Sequence, residues 1–240
     1  SQRSLSYYNF EDMMLFSGCS FTYGDELENR EKERFSSYFD SHNIAQCGIC
    51  NDAIVRNTIS EIEANPNKYD TIVVQFTLHT RTEVPLPDHY LPIIPQNLKL
   101  KAREGSTRIK RWQFAKAIYT NDLWTKYIGK ENMYKNIFFM QSYLRMKGLK
   151  YVFLSNDGRD ADTDSCWRDM VDSPIIDMHN LIGCKSDNPE YYSNDETKEL
   201  FWSLFAKSNV PSSHSRGGHP NSLGHRIIAS AIKECLEKHQ

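Results

Sequence analysis

Short apolar runs alternate along the chain with longer amphipathic stretches. Met13-Met14-Leu15-Phe16 is halted by Ser17-Gly18, and a run of that length stopped by glycine predicts a strand buried on both faces. Residues 43–45 predict a second short strand. Thr71-Ile72-Val73-Val74-Gln75-Phe76 predicts a third, the richest in β-branched side chains. Residues 151–154 and 175–178 complete five strands. Between them lie helical patterns. Residues 52–64 carry Ala53, Ile54, Ile59 and Ile62 as a stripe, and residues 110–127 and 131–146 are amphipathic, separated by Gly129. Gly148 is placed to end the second of these. Residues 222–237 set Leu223, Ile227, Ile228, Ala231, Ile232, Cys235 and Leu236 on one face, with Asn221 or Ser222 as cap.

Strands alternating with helices predict an α/β fold: a three-layer α/β/α sandwich around a five-stranded, mostly parallel sheet. Right-handed crossovers then put a site beyond the carboxyl ends of the strands. A chain of 240 residues buries enough surface for one sizeable core, so a single domain over 1–240 is expected. Residues 84–110 depart from this economy. The stretch 84–106 holds Pro85, Pro87, Pro92 and Pro95 with little periodicity, which predicts a lid or substrate wall following the third strand.

Composition changes this picture little. Hydrophobic residues make up 39% and charged residues 25%, with a formal net charge of −2. No global field then draws the chain toward nucleic acid or anionic lipid. No apolar stretch has the length a membrane helix needs and residues 1–12 lack a signal-like apolar run, so a cytoplasmic location is expected. The cysteines at 19, 47, 50, 166, 184 and 235 are spread along the chain and read as reduced, mostly packed thiols. Cys47-x-x-Cys50 lacks a companion pair at zinc-like spacing, so no metal is expected. The basic runs 99–103 and 108–112 read as solvated helix faces. Arg81 and Glu83 are candidates either for substrate contact or for an ion pair with each other. Tyr90, Trp112, Trp124 and Trp167 are sugar-stacking candidates, with core packing the commoner use. The acidic stretch 157–164 lacks the closing glutamate of a calcium loop and reads as a polar loop near the site's rim.

The chemistry lies in two distant stretches. Gly18-Cys19-Ser20-Phe21-Thr22-Tyr23-Gly24-Asp25 follows the first strand directly, where a turn presents a serine hydroxyl at the sheet's carboxyl edge. Gly217-Gly218-His219-Pro220 precedes the last helix. Serine alone is a weak nucleophile, and a histidine reaching the same edge supplies the base it needs. Asn51 is a candidate to line the pocket or to cap the helix that follows it.

These stretches resemble the SGNH (GDSL-type) hydrolases. GCSFTYG is similar to that family's first block, Asn43-x-Ala45-x-x-Gly48 to its second, and GGHPNSLGHRIIA to its last. The resemblance implies a flavodoxin-like fold with Ser20 as nucleophile, His219 as base, and the backbone N–H groups of Ser20 and Gly48 as oxyanion donors. Three positions depart from the pattern. Cys19 replaces an aspartate outside the chemistry. The third-block asparagine is replaced by His79, so His79 or Thr80 is the expected third donor. Arg216 stands where the acid behind the histidine is expected. The base is then held by a backbone carbonyl or a remote acid, or the centre is a Ser–His dyad, or the site is weak.

The resemblance implies a serine esterase acting on a small acyl ester, such as an O-acetyl group on a carbohydrate, with no cofactor. Substrate contacts are expected from Asn51 and Arg81. Loss of the acid and the asparagine also fits a weakened binding module for glycan or protein. An acyltransferase is the third alternative. Oligomeric state is not legible.

Overall fold

A computed structural model describes residues 13–99, 107–121, 123–124, 126–155, 181–182 and 219–237. The strands form where β-branched and apolar residues cluster, except for the polar edge strand Ser41-His42-Asn43. They are β1 (Met14–Ser17), β2 (Ser41–Asn43), β3 (Thr71–Phe76), β6 (Lys150–Ser155) and β7 (Leu181–Ile182), joined as one five-stranded sheet in the order β2-β1-β3-β6-β7. Every pairing in it is parallel. Taken alone, the five strands follow the doubly wound, flavodoxin-like order, whose crevice opens where the chain changes direction between β1 and β3.

Alternation along the central strands divides the core in two. Leu15, Ile72, Val74, Phe76, Tyr151 and Phe153 face one side, against Ile54 and Ile62 of α3 (Asn51–Ala64) and Met133, Ile137, Met140 and Leu144 of α5 (Lys126–Lys147). Met14, Phe16, Val73, Val152 and Leu154 face the other, against Ile228, Ala229, Ala231 and Ile232 of α6 (Ser222–Glu237) and Phe35. The result is the expected three-layer sandwich.

The elements depart from the sequence reading in instructive ways. The second strand lies two residues earlier than expected, and the expected strand at 175–178 lies outside the described residues. Gly129 does not separate two helices. It is buried inside α5, where an added Cβ would lie 2.4 Å from the His79 carbonyl oxygen. The break falls instead between α4 (Thr107–Thr120) and Lys126. Gly148 does end α5, with φ of +68°. On α6, Leu223 is 45% exposed rather than core-facing. Asn221 caps that helix by accepting a hydrogen bond from the Gly224 N–H at 3.0 Å.

The proline-rich stretch after β3 forms an antiparallel hairpin, β4 (Thr82–Pro85) and β5 (Tyr90–Ile93). Leu91 and Ile93 pack with Ala115, Phe114, Ile118 and Tyr119 of α4. Arg56 of α3 ties the hairpin down by a two-pronged ion pair to Glu83, at 2.5 and 3.1 Å, and by lying 3.9 Å over the Tyr90 ring. An anchored hairpin thus forms the first part of the stretch expected as a lid or substrate wall.

Candidate active site

The parallel sheet collects several chain turns at its carboxyl edge. After β1 the chain passes through Gly18 and Cys19 into a single helical turn, α1 (Ser20–Tyr23). Glycine is required at 18 because a Cβ there would lie 2.4 Å from Thr22 Oγ1 and 2.9 Å from Gln75 Cβ. Gln75, on β3 and 1% exposed, fixes the turn from behind. Its Oε1 accepts from the Cys19 N–H at 3.2 Å, the Cys19 thiol at 3.2 Å and the Thr22 hydroxyl at 3.1 Å. Asn43, at the end of β2, donates to the Thr22 carbonyl at 2.8 Å. Gly24 closes the turn in a left-handed conformation, φ +81°.

Ser20 and His219, 199 residues apart in sequence, meet at this edge: Ser20 Oγ lies 2.9 Å from His219 Nε2. The Ser20 side is buried, at 5% exposure. The Phe21 ring stands edge-on to the imidazole, 5.2 Å between centroids. Since Nε2 faces the serine hydroxyl, a neutral His219 able to accept its proton carries its own proton on Nδ1.

Two acidic residues directly after Gly24 flank the imidazole. Glu26 Oε2 lies 3.2 Å from His219 Nδ1, and Asp25 Oδ2 lies 3.9 Å from Nε2. The Glu26–Nδ1 contact is close but not aligned as a linear hydrogen bond, and both atoms are buried with no other partner among the described residues. Glu26 also sits at φ +67°, a left-handed conformation that costs a side-chain-bearing residue about 1–2 kcal/mol. Sequence reading passed over both acids. Their only signal was their place immediately after the Gly18–Gly24 motif.

The second turn carries Gly48 at φ +75°. It is brought beside the first by the Gln46 N–H donating to the Gly18 carbonyl at 3.1 Å. Among the described residues, neither the Ser20 nor the Gly48 amide has a hydrogen-bond acceptor.

The third turn is residues 77–81. Its backbone is held at three points. Asn51 accepts from the Thr77 N–H at 2.8 Å and donates to the Thr77 carbonyl at 3.1 Å. Trp124 Nε1 donates to the His79 carbonyl at 3.2 Å, and the Tyr119 hydroxyl donates to the Thr80 carbonyl at 2.8 Å. Asn51 is 2% exposed with both sides of its amide engaged, so it acts as a clamp between α3 and this turn. That corrects the expectation of substrate contact and of helix capping alike. Thr77 is fully buried and its hydroxyl has no partner among the described residues, a donor the sequence reading missed.

Arg81 does not pair with Glu83, whose carboxylate is taken by Arg56. Arg81 Nε and Nη1 are buried without a hydrogen-bond partner among the described residues. Of the sugar-stacking candidates, Tyr90 lies beneath Arg56 and Trp124 is bonded to His79. Trp167 lies outside the described residues, as do Arg216 and the stretch 157–164.

Neither thiol of Cys47-x-x-Cys50 is activated. Burial, with the Asp25 carboxylate second, pushes Cys47 up to about 11, and burial pushes Cys50 up to about 12. Cys47 and Cys50 are free thiols. Among the described residues, no group of three or more His, Cys, Asp or Glu side chains could hold a metal ion, and no helix is long and apolar enough to cross a membrane.

His225, one turn into α6, is fully buried and stacked on Phe35, and its Nδ1 accepts from the Phe35 N–H at 3.1 Å. Burial, with His219 nearby, lowers it to about 3. It is therefore a neutral packing residue.

No family model and no curated protein matches the chain. Among solved structures, TesA is similar at 10% identity and a TM-score of 0.48, covering 95% of this chain and 99% of that one. The psychrotrophic esterase EstA from a Pseudoalteromonas species is similar at 9% identity and a TM-score of 0.47, covering 95% and 97%. An acetyl xylan esterase from the rumen bacterium Butyrivibrio proteoclasticus is similar at 11% and 0.43, covering 95% and 64%.

Proposed function

We propose that the chain is a serine hydrolase of the SGNH type that cleaves small acyl esters, with an O-acetyl group on a carbohydrate as the substrate class. The observation that carries this reading is the 2.9 Å contact between Ser20 Oγ and His219 Nε2 at the carboxyl edge of a parallel sheet. The carbohydrate part follows from the sequence resemblance.

In the proposed reaction His219 Nε2 takes the Ser20 proton as Oγ attacks the acyl carbonyl. The Ser20 and Gly48 amides donate to the resulting oxyanion. The 77–80 turn supplies the third donor, from His79 or Thr80 as the sequence motif implies or from the unpaired Thr77 hydroxyl. His219 then protonates the departing alcohol. Water attacks the acyl-serine in the second half, giving its proton to His219 and restoring the free hydroxyl. Arg81 is the proposed polar contact for the substrate, and the hairpin β4–β5 its wall. The whole of 1–240 is read as one domain.

The test is turnover of 4-nitrophenyl acetate and of an acetylated oligosaccharide. Ser20→Ala is expected to lower kcat by about 10⁴-fold or more with the fold retained. Wild-type activity in that variant would overturn the assignment. Release of acetate to water rather than to an added sugar acceptor separates a hydrolase from an acyltransferase.

A further inference from the structure

We propose that Glu26 is the positioning acid of this site, supplying from the first turn the carboxylate that Arg216 replaces near the last helix; the inference rests on the serine-hydrolase reading. Glu26 Oε2 is 3.2 Å from His219 Nδ1, on the ring nitrogen opposite the serine. Neither atom has another partner among the described residues, so each is left to satisfy the other. Such contacts align and tighten when substrate occupies the site. Glu26 is also held at φ +67°, where glycine is the residue favoured by sterics. A side chain held in that conformation, with a buried carboxylate oxygen 3.2 Å from an imidazole nitrogen, points to a role for that contact.

Asp25 is the rival carboxylate, and geometry sets it aside. It lies 3.9 Å from Nε2, the nitrogen that faces Ser20, and is 46% exposed. Nothing brings it to Nδ1. Glu26 therefore fixes the tautomer with the proton on Nδ1 and stabilises the imidazolium formed when Ser20 gives up its proton. The proton stays on His219 and is not passed on to Glu26. Among the described residues, the titratable groups facing His219 are Glu26, Asp25 and, from α6, His225, which stays neutral.

The experiment compares the full chain with Glu26→Gln, Glu26→Asp, Glu26→Gly and Asp25→Asn. For 4-nitrophenyl acetate, Glu26→Gln is expected to lower kcat by about 10²–10⁴-fold with KM little changed. Its acidic pH limb should shift downward, because an imidazolium without its carboxylate loses its proton more readily. Glu26→Asp should recover part of the rate. Glu26→Gly should match Glu26→Gln in rate yet hold or raise the melting temperature, by up to about 2–4 °C, since glycine relieves the left-handed strain. A residue with a merely structural role would not separate rate from stability in that way.

NMR titration of the His219 imidazole reads the contact without turnover, so it judges Glu26 even if the ester assay fails in the wild type. A titration point lowered in Glu26→Gln supports the inference. An unmoved titration point, a kcat within threefold of wild type, or Asp25→Asn reproducing the loss would overturn it.

Discussion

Gln75→Leu probes how the sheet holds the Ser20 turn. The glutamine is 1% exposed and its Oε1 is the shared acceptor for the Cys19 N–H, the Cys19 thiol and the Thr22 hydroxyl. Leucine fills much of the same space but accepts nothing. Cys19 and Thr22 are themselves fully buried, so water cannot take over. Each stranded amide or hydroxyl costs about 1–3 kcal/mol, while the thiol, a weak donor, adds little. The Thr22 hydroxyl can rotate toward another acceptor, and the leucine adds apolar burial, which together pull the net loss to about 2–4 kcal/mol. With a urea m-value of about 2–3 kcal/mol/M, the unfolding midpoint should fall by about 1 M. Turnover should fall as well at urea concentrations where the variant is folded, because the Cys19–Ser20 backbone is no longer pinned. Equilibrium unfolding followed by tryptophan fluorescence measures the first effect, and ester hydrolysis the second. A midpoint within about 0.2 M of wild type at unchanged m would refute the claim that Gln75 holds this turn.

Three further outcomes follow from the packing around the site. His225 is lowered to about 3 by burial and then by His219, against 6.5 unfolded; the unfolded chain thus binds the extra proton between those values, and this group's contribution to stability is full above about pH 6.5 and falls by about 1.4 kcal/mol per pH unit below it. Urea midpoints across pH 4–7 check this, and a His225→Gln variant with the same slope would contradict it. Gly129→Ala pushes a Cβ to within 2.4 Å of the His79 carbonyl; overpacking of about 1–3 kcal/mol outweighs about 1 kcal/mol of gained helix propensity, so thermal unfolding should come earlier, and an unchanged or raised melting temperature would contradict it. Arg81→Met should raise KM several-fold with kcat within about threefold; steady-state kinetics showing the opposite split would remove Arg81 from substrate contact.

Much of this was legible in the sequence, for physical reasons that differ by element. The strand at 71–76 was plain because β-branched residues crowd it and both its faces are buried. The last helix matched its expected span because its stripe is strong and Asn221 caps it. The Ser20–His219 pairing followed from two motifs falling at the same edge of a parallel sheet. The hairpin was hidden because prolines mask strand periodicity, and it is held by a partner in α3, Arg56, distant in sequence. Gly129 misled because close approach to another carbonyl and helix breaking leave the same letter. Glu26 was invisible for a related reason: nothing in its own sequence neighbourhood announces a left-handed glutamate, and its partner His219 lies far along the chain.

Covalent trapping with a fluorophosphonate tests the central claim most directly, since it reacts only with a serine whose proton can be taken. Intact-mass and peptide analysis should find one adduct, on Ser20, in the wild-type chain, and labelling slowed by at least about 10²-fold in His219→Ala. A chain that stays unlabelled, or one labelled at Ser20 equally fast without His219, would contradict the account.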